Sequence, residues 1–195
     1  MDPAASFPPR RVLAIAGSLR RDSFNRRLLR AAATLAPAGM QVQVHDGLAA
    51  LPMFDEDIEG AMQPTDAVPS LWREVAQADA LLIATPEYNQ SLPGVLKNAI
   101  DWISRSRPSV LAGKPVAVVG ATSGRWGTRL AQAALRQVLV ACQSRVVPGP
   151  SLFLADAGAA FDGEGRLLDA AARQAMQRLL AALDAEIAQA AACRR

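Results

Sequence analysis

Along the chain, short runs of consecutive apolar residues alternate with longer stretches whose apolar positions recur every three or four residues. Residues 12–16 (Val-Leu-Ala-Ile-Ala) form one such run, closed by Gly17. A run of this length and composition fits a strand buried on both faces. Phe24, Leu28, Ala32 and Leu35 then mark a helix, which Pro37 and Gly39 end. Val42 and Val44 alternate with polar neighbours, as in a strand nearer a sheet edge. Residues 47–67 lack either period and form a long irregular connection, a length at which loops tend to be functional. Leu71, Trp72 and Val75 mark a second helix leading to an apolar run at 80–84. A third helix spans about 92–103, with Pro93 in its first turn. The run 115–120 is a fourth strand, followed by a helix marked by Leu135, Val138, Leu139 and Cys142. Residues 146–147 and 151–154 make a last strand, interrupted by Pro148-Gly149-Pro150. Met176, Leu179, Leu180, Leu183 and Ile187 mark a C-terminal helix.

Five strands, each leading to a helix, predict an α/β fold. Right-handed crossovers place such helices on both faces of a parallel sheet. At 195 residues the economical arrangement is a flavodoxin-like doubly wound sheet of order 2-1-3-4-5, whose switch point lies between strands 1 and 3. Residues 1–10, with three prolines and no apolar run, read as a flexible N-terminal arm, and 11–195 as a single domain.

Composition narrows the function classes. The 51% hydrophobic content suits a soluble core, while aromatic residues make up only 5% of the chain, so Ala, Leu and Val must fill it. The net charge of +3 comes from scattered or terminal arginines, not from the single basic stripe of a nucleic-acid-binding protein. The N-terminus lacks the basic start and hydrophobic core of a signal peptide. No segment approaches the length of a membrane span, and the two cysteines, Cys142 and Cys193, form no framework or metal motif. These features predict a cytoplasmic protein acting on neither nucleic acid nor membrane.

Three strand-to-helix loops carry the candidate chemistry. The first, 17–25, holds Ser18, Leu19, Arg20, Arg21, Asp22, Ser23 and Asn25 at a helix start, where outward N–H groups and the helix dipole favour an anion such as a phosphate monoester. Helix capping by Asp22 or Ser23 accounts for one polar residue, not for two serines, an asparagine and two arginines in nine positions. GxGxxG and Walker patterns are both absent. The second loop contains Pro86, Glu87, the single tyrosine Tyr88, and Asn89. It offers a flat ring an apolar wall plus fixed polar groups, or it is a plain turn of Pro and Asn. The third, around Ser123-Gly124-Arg125-Trp126-Gly127, resembles an ordinary βα turn by itself. In order 2-1-3-4-5, however, strands 1, 3 and 4 are neighbours, so the three loops converge on one crevice. His45, the single histidine, belongs to strand 2, away from it. No GxSxG elbow, metal-ligand cluster or other catalytic side chain is present, and Asp55-Glu56-Asp57 reads as a solvated run.

Taken together, Gly17-Ser18-Leu19-Arg20-x-x-Ser23-x-Asn25, then Pro86-Glu87-Tyr88-Asn89-x-Ser91-x-Pro93-Gly94-x-Leu96-Lys97-Asn98-Ala99-Ile100-Asp101-Trp102, and Leu135-Arg136-Gln137-Val138-Leu139 resemble the NADPH-dependent FMN reductase family. That family includes bacterial chromate/quinone reductases and azoreductases. The resemblance implies bound FMN, NADPH or NADH as co-substrate, a small-molecule acceptor (quinone-like, azo or metal-oxyanion) and a homodimer or homotetramer. By position it assigns the FMN phosphate to Ser18, Arg20, Ser23 and Asn25, with Leu19 beside them. Pro86, Glu87, Tyr88 and Asn89 would border the flavin ring, and Ser123 the ring or ribityl chain. Thr122-Ser123-Gly124-Arg125 departs from the Ser-Pro-Gly of many relatives. A flavodoxin-type carrier that binds FMN without oxidising NAD(P)H is the alternative.

Overall fold

The structure, a computed structural model, describes residues 8–193. Six strands make one parallel sheet: β1 (Arg10–Ala16), β2 (Met40–His45), β3 (Ala80–Ala84), β4 (Pro115–Ala121), β5 (Arg145–Val146) and β6 (Leu152–Leu154). Their order is β2-β1-β3-β4-β5, with β6 also pairing β4, the flavodoxin-like topology. The expected fifth strand is thus two short ones. β5 pairs with the start of β4 and β6 with its end, the intervening prolines breaking the ladder where their missing N–H groups cannot bond. Of the expected N-terminal arm, residues 1–7 lie outside the described residues. Arg10 already belongs to β1, where its N–H donates to Gly39 O at 2.8 Å.

The helices are α1 (Phe24–Leu35), α2 (Ala67–Gln77), α3 (Gly94–Ser104), α4 (Arg129–Ala141), a single turn α5 (Ala157–Ala160) and the long α6 (Ala170–Ala192). The continuous apolar strands divide by parity, because successive side chains point to opposite faces. Val12, Ala14 and Ala16 of β1 pack with α1 and α6, while Leu13 and Ile15 pack with α2, α3 and α4. Ala80, Ala84, Ala117 and Ala121 line the first face as well. Much of the chain's alanine therefore sits where helices must approach the sheet closely.

Residues 47–67 are less irregular than their sequence suggests. They form two 3₁₀ turns, Leu48–Ala50 and Glu56–Ala61, and the strap between them is pinned to α3. Asn98 Nδ2 and Trp102 Nε1 both donate to Pro52 O (2.9 and 2.8 Å), and Phe54 N–H donates to Asn98 Oδ1 at 2.7 Å. The Phe54 ring meets Trp102 edge-on at 4.9 Å, and Arg105 pairs with Glu59 at 2.8 Å. Pro93 caps α3 from outside instead of opening its first turn.

Candidate functional site

The C-terminal ends of β1, β3 and β4 lie side by side, so their loops share one edge of the sheet. In the β1–α1 loop, Ser18 and Ser23 are buried while Leu19 and Arg20 are exposed. Ser23 caps α1 by accepting from Arg26 N–H at 3.4 Å, and Ser18 Oγ accepts from Arg20 N–H at 3.4 Å. A hydroxyl that accepts one bond still has its proton to donate. The N–H groups of Leu19, Arg21, Asp22 and Phe24 have no intramolecular acceptor among the described residues. Unpaired donors at the positive end of a helix are the chemistry that holds a phosphate.

The β3–α3 loop closes on itself. Tyr88 and Ser91 exchange both backbone hydrogen bonds (3.0 and 3.1 Å), and Asn89 and Gln90 take φ of 50° and 63°. Positive φ at both central positions defines a type I′ turn, and here neither position is glycine. That conformation stores strain of order ~1 kcal/mol or more per residue. The turn presents Tyr88, 48% exposed, with its hydroxyl 3.5 Å from Ser18 Oγ. Pro86 is buried beneath it, and Thr85 Oγ1 donates to Pro86 O at 2.7 Å.

Two expected ligand residues also hold the loops together. Asn25 is buried, its Oδ1 accepting from Ala121 N–H and its Nδ2 donating to Ala121 O, both at 2.9 Å. The reason lies in the sheet. β3 bonds β4 as far as Val119, where Thr85 N–H donates to Val119 O. Ala121 faces the same side two residues on, past the end of that ladder, and a side-chain amide replaces the missing strand. Asn25 therefore ties the first loop to the third, with both polar atoms of its amide bonded to Ala121. Glu87 likewise bonds a neighbouring element. Its Oε2 accepts from Leu130 and Ala131 N–H at 2.9 and 3.0 Å, capping α4 with a carboxylate at the favourable end of its dipole.

The third loop is held by close packing. A Cβ at Gly120 would lie 1.8 Å from Thr128 Oγ1 and 2.5 Å from Thr85 O, and Gly127 has φ of 66° with Phe153 behind it. Gln132 Nε2 donates to Thr128 Oγ1 and Leu152 O, both at 2.9 Å. Ser123 is exposed at the lip, beside the 76%-exposed Trp126. Sequence reasoning missed this buried polar scaffold (Thr85, Thr128, Gln132). Its signal was the polar residues next to strand ends, which look no different from surface residues in one sequence. His45 is partly exposed. It sits at the end of β2 with Nδ1 2.9 Å from Glu74 Oε2, outside the three-loop cluster.

The three loops are thus linked into one rim, by Ser18 to Tyr88, Asn25 to Ala121, and Glu87 to α4. Its donors suit a phosphate and its exposed Leu19, Tyr88 and Trp126 suit a planar ring, so the residues present fit FMN.

Such a rim on a doubly wound sheet defines a flavin-binding class of protein, and comparison with known proteins agrees. Residues 10–159 match the model of the NADPH-dependent FMN reductase family. An NAD(P)H-dependent FMN reductase of Pseudomonas aeruginosa is 45% identical over 173 residues, 89% of this chain and 92% of that one. A quinone reductase of Escherichia coli K12 is 41% identical over 139 residues, 71% of this chain and 74% of its own length. Among solved structures, the flavoenzyme NAD(P)H:(acceptor) oxidoreductase FerB of Paracoccus denitrificans superposes with a TM-score of 0.83 at 30% identity, covering 92% of this chain and 98% of that one. The chain belongs to the NADPH-dependent FMN reductase family.

Proposed function

We propose that this protein is an NAD(P)H-dependent oxidoreductase that holds FMN at the three-loop rim and reduces quinone-like acceptors. Azo compounds and metal oxyanions are further acceptors of the same two-electron chemistry. When bound, FMN would supply the two-electron redox chemistry between reduced nicotinamide and the acceptor. The protein's part is to bind and orient. Ser18, Arg20 and Ser23, with the unpaired N–H groups of the first loop, hold the phosphate. Leu19, Pro86, Tyr88, Asn89 and Ser123 border the ring and its chain, while Asn25 and Glu87 fix the loops that carry them. The observation carrying this reading is the unpaired N–H set at the α1 start, linked through Ser18 to the Tyr88 turn.

The rim is open, and exposed apolar side chains ring it: Leu19, Tyr88, Trp126 and Leu130, with Met53 on the strap from the same sheet edge. A second copy of the chain covers such a surface, which supports a homodimer, or a homotetramer built from dimers. The protein works as a single domain over 11–195 in the cytoplasm, without nucleic-acid or membrane partners. The paired variant Arg20→Ala/Ser23→Ala tests the phosphate site. FMN retention on gel filtration falls at least tenfold while the far-UV dichroism stays native. Unchanged FMN affinity would remove the assignment.

A further inference from the structure

On the outer side of α1, facing the turn that joins Phe161 to Leu167, lies a strongly basic groove. These two residues pair across the turn, and the Phe161 ring stacks on Phe24 of α1 at 6.2 Å. Two concavities meet there. One, of about 140 Å³, lies beside Ser23 and is lined by Arg21, Arg26, Arg27 and Arg30. The other, of about 400 Å³, has Ala31, Leu35 and Leu167 in its wall and Arg30, Arg166 and Arg173 around it. Arg30, Glu164 and Gly165 belong to both.

Asp22 and Glu164 also line the groove, so its charge is neutralised only in part. Arg26 pairs with Asp46 at 3.0 Å, and Arg166 with Asp162 at 2.7 Å and Glu164 at 3.4 Å. Arg21, Arg27, Arg30 and Arg173 have no carboxylate partner among the described residues. Arg27 lies over the Phe24 ring at 5.9 Å. An apolar-walled cavity of this size, edged by free guanidiniums, has the chemistry for a flat heterocycle carrying a phosphate dianion. The smaller concavity reaches Ser23 of the first loop and shares Arg30 with the larger one, so the groove leads away from the loop that carries the unpaired N–H groups.

We infer that this groove takes the adenosine 2′-phosphate half of NADPH, which makes it the element that separates NADPH from NADH. The inference rests on the reading above, that a nicotinamide coenzyme reduces flavin at the rim. Arg30 and Arg173 face the 2′-phosphate, Ala31, Leu35 and Leu167 carry the adenine, and Arg27 closes the side toward the flavin. NADH lacks the dianion and gains nothing from these guanidiniums.

The test uses the FMN-loaded protein and the variant Arg30→Gln/Arg173→Gln, which keeps both side-chain stems and removes both charges. The KM for NADPH rises about tenfold, while kcat with either coenzyme, the KM for NADH and the flavin content stay within twofold. Arg30→Lys/Arg173→Lys, which restores the charges, recovers part of the NADPH affinity. Calorimetry with adenosine 2′,5′-bisphosphate shows the same tenfold weakening without turnover, and 5′-AMP shows none. Equal effects on both coenzymes, no effect on either, or loss of FMN from the variant would each overturn the assignment. A wild-type protein that oxidises neither coenzyme, yet binds the bisphosphate through these arginines, would instead overturn the reductase reading.

Discussion

Replacing Asn25 with Ala separates a structural clamp from a flavin ligand. In the clamp, the amide satisfies both Ala121 N–H and Ala121 O at 2.9 Å, and both residues are 2% exposed. Truncation leaves two buried backbone groups without partners. Each costs about 1–3 kcal/mol, and the lower half of the resulting range of about 2–6 kcal/mol already gives a loss of about 3 kcal/mol, before any cavity is counted. For a chain of this size, 1 kcal/mol moves the melting midpoint by about 2–4 °C, which gives a fall of roughly 6–12 °C. The assay is thermal unfolding of the flavin-free protein, because no flavin contact can contribute there. Asn25→Asp, which keeps the acceptor but sets a carboxylate against Ala121 O, falls at least as far. A flavin-free midpoint unchanged within about 2 °C, together with weakened FMN binding, would refute the clamp and return Asn25 to the phosphate.

Other expectations follow from the same geometry. Glu87→Ala removes the carboxylate from two α4 N–H groups and lowers stability by about 1–2 kcal/mol in urea titration, and Glu87→Gln recovers part of it. Asn98→Ala frees Pro52 O and Phe54 N–H, so limited proteolysis cuts within residues 47–67 well before it cuts the wild type. Cys142 is half-buried, and burial pushes its thiol above the usual range. The reactive thiolate is then scarcer at neutral pH, so iodoacetamide labels the exposed Cys193 first, and Cys142 labelling accelerates only as pH rises past the ordinary thiol range.

The sheet was legible because buried parallel strands leave unbroken apolar runs, as at 80–84 and 115–120, and because helix periods between them fix the alternation. The split of the last strand was visible in Pro148-Gly149-Pro150, yet the dual pairing of β5 and β6 with β4 depends on tertiary register that no local pattern carries. At the site, a motif names positions without saying where side chains point. Asn25 and Glu87 sit in the right loops, but their polar ends bond Ala121 and the α4 N-terminus, which are 96 and 43–44 residues away in sequence. The ordering of residues 47–67 escaped for the same reason. Its anchors, Asn98 and Trp102, look like ordinary helix positions until Pro52 O is placed against them.

The central claim is a flavin reduced directly by a nicotinamide coenzyme, and anaerobic titration of the FMN-loaded protein with NADPH addresses it most directly. Stoichiometric bleaching of the flavin's visible absorbance with no other protein present, followed by recovery of the colour on adding a quinone, is the expected result, with the protein acting as the binding and orienting scaffold for the cofactor's chemistry. A yellow protein that NADPH fails to bleach would mark it as an electron carrier, and a protein that binds no FMN would contradict the account altogether.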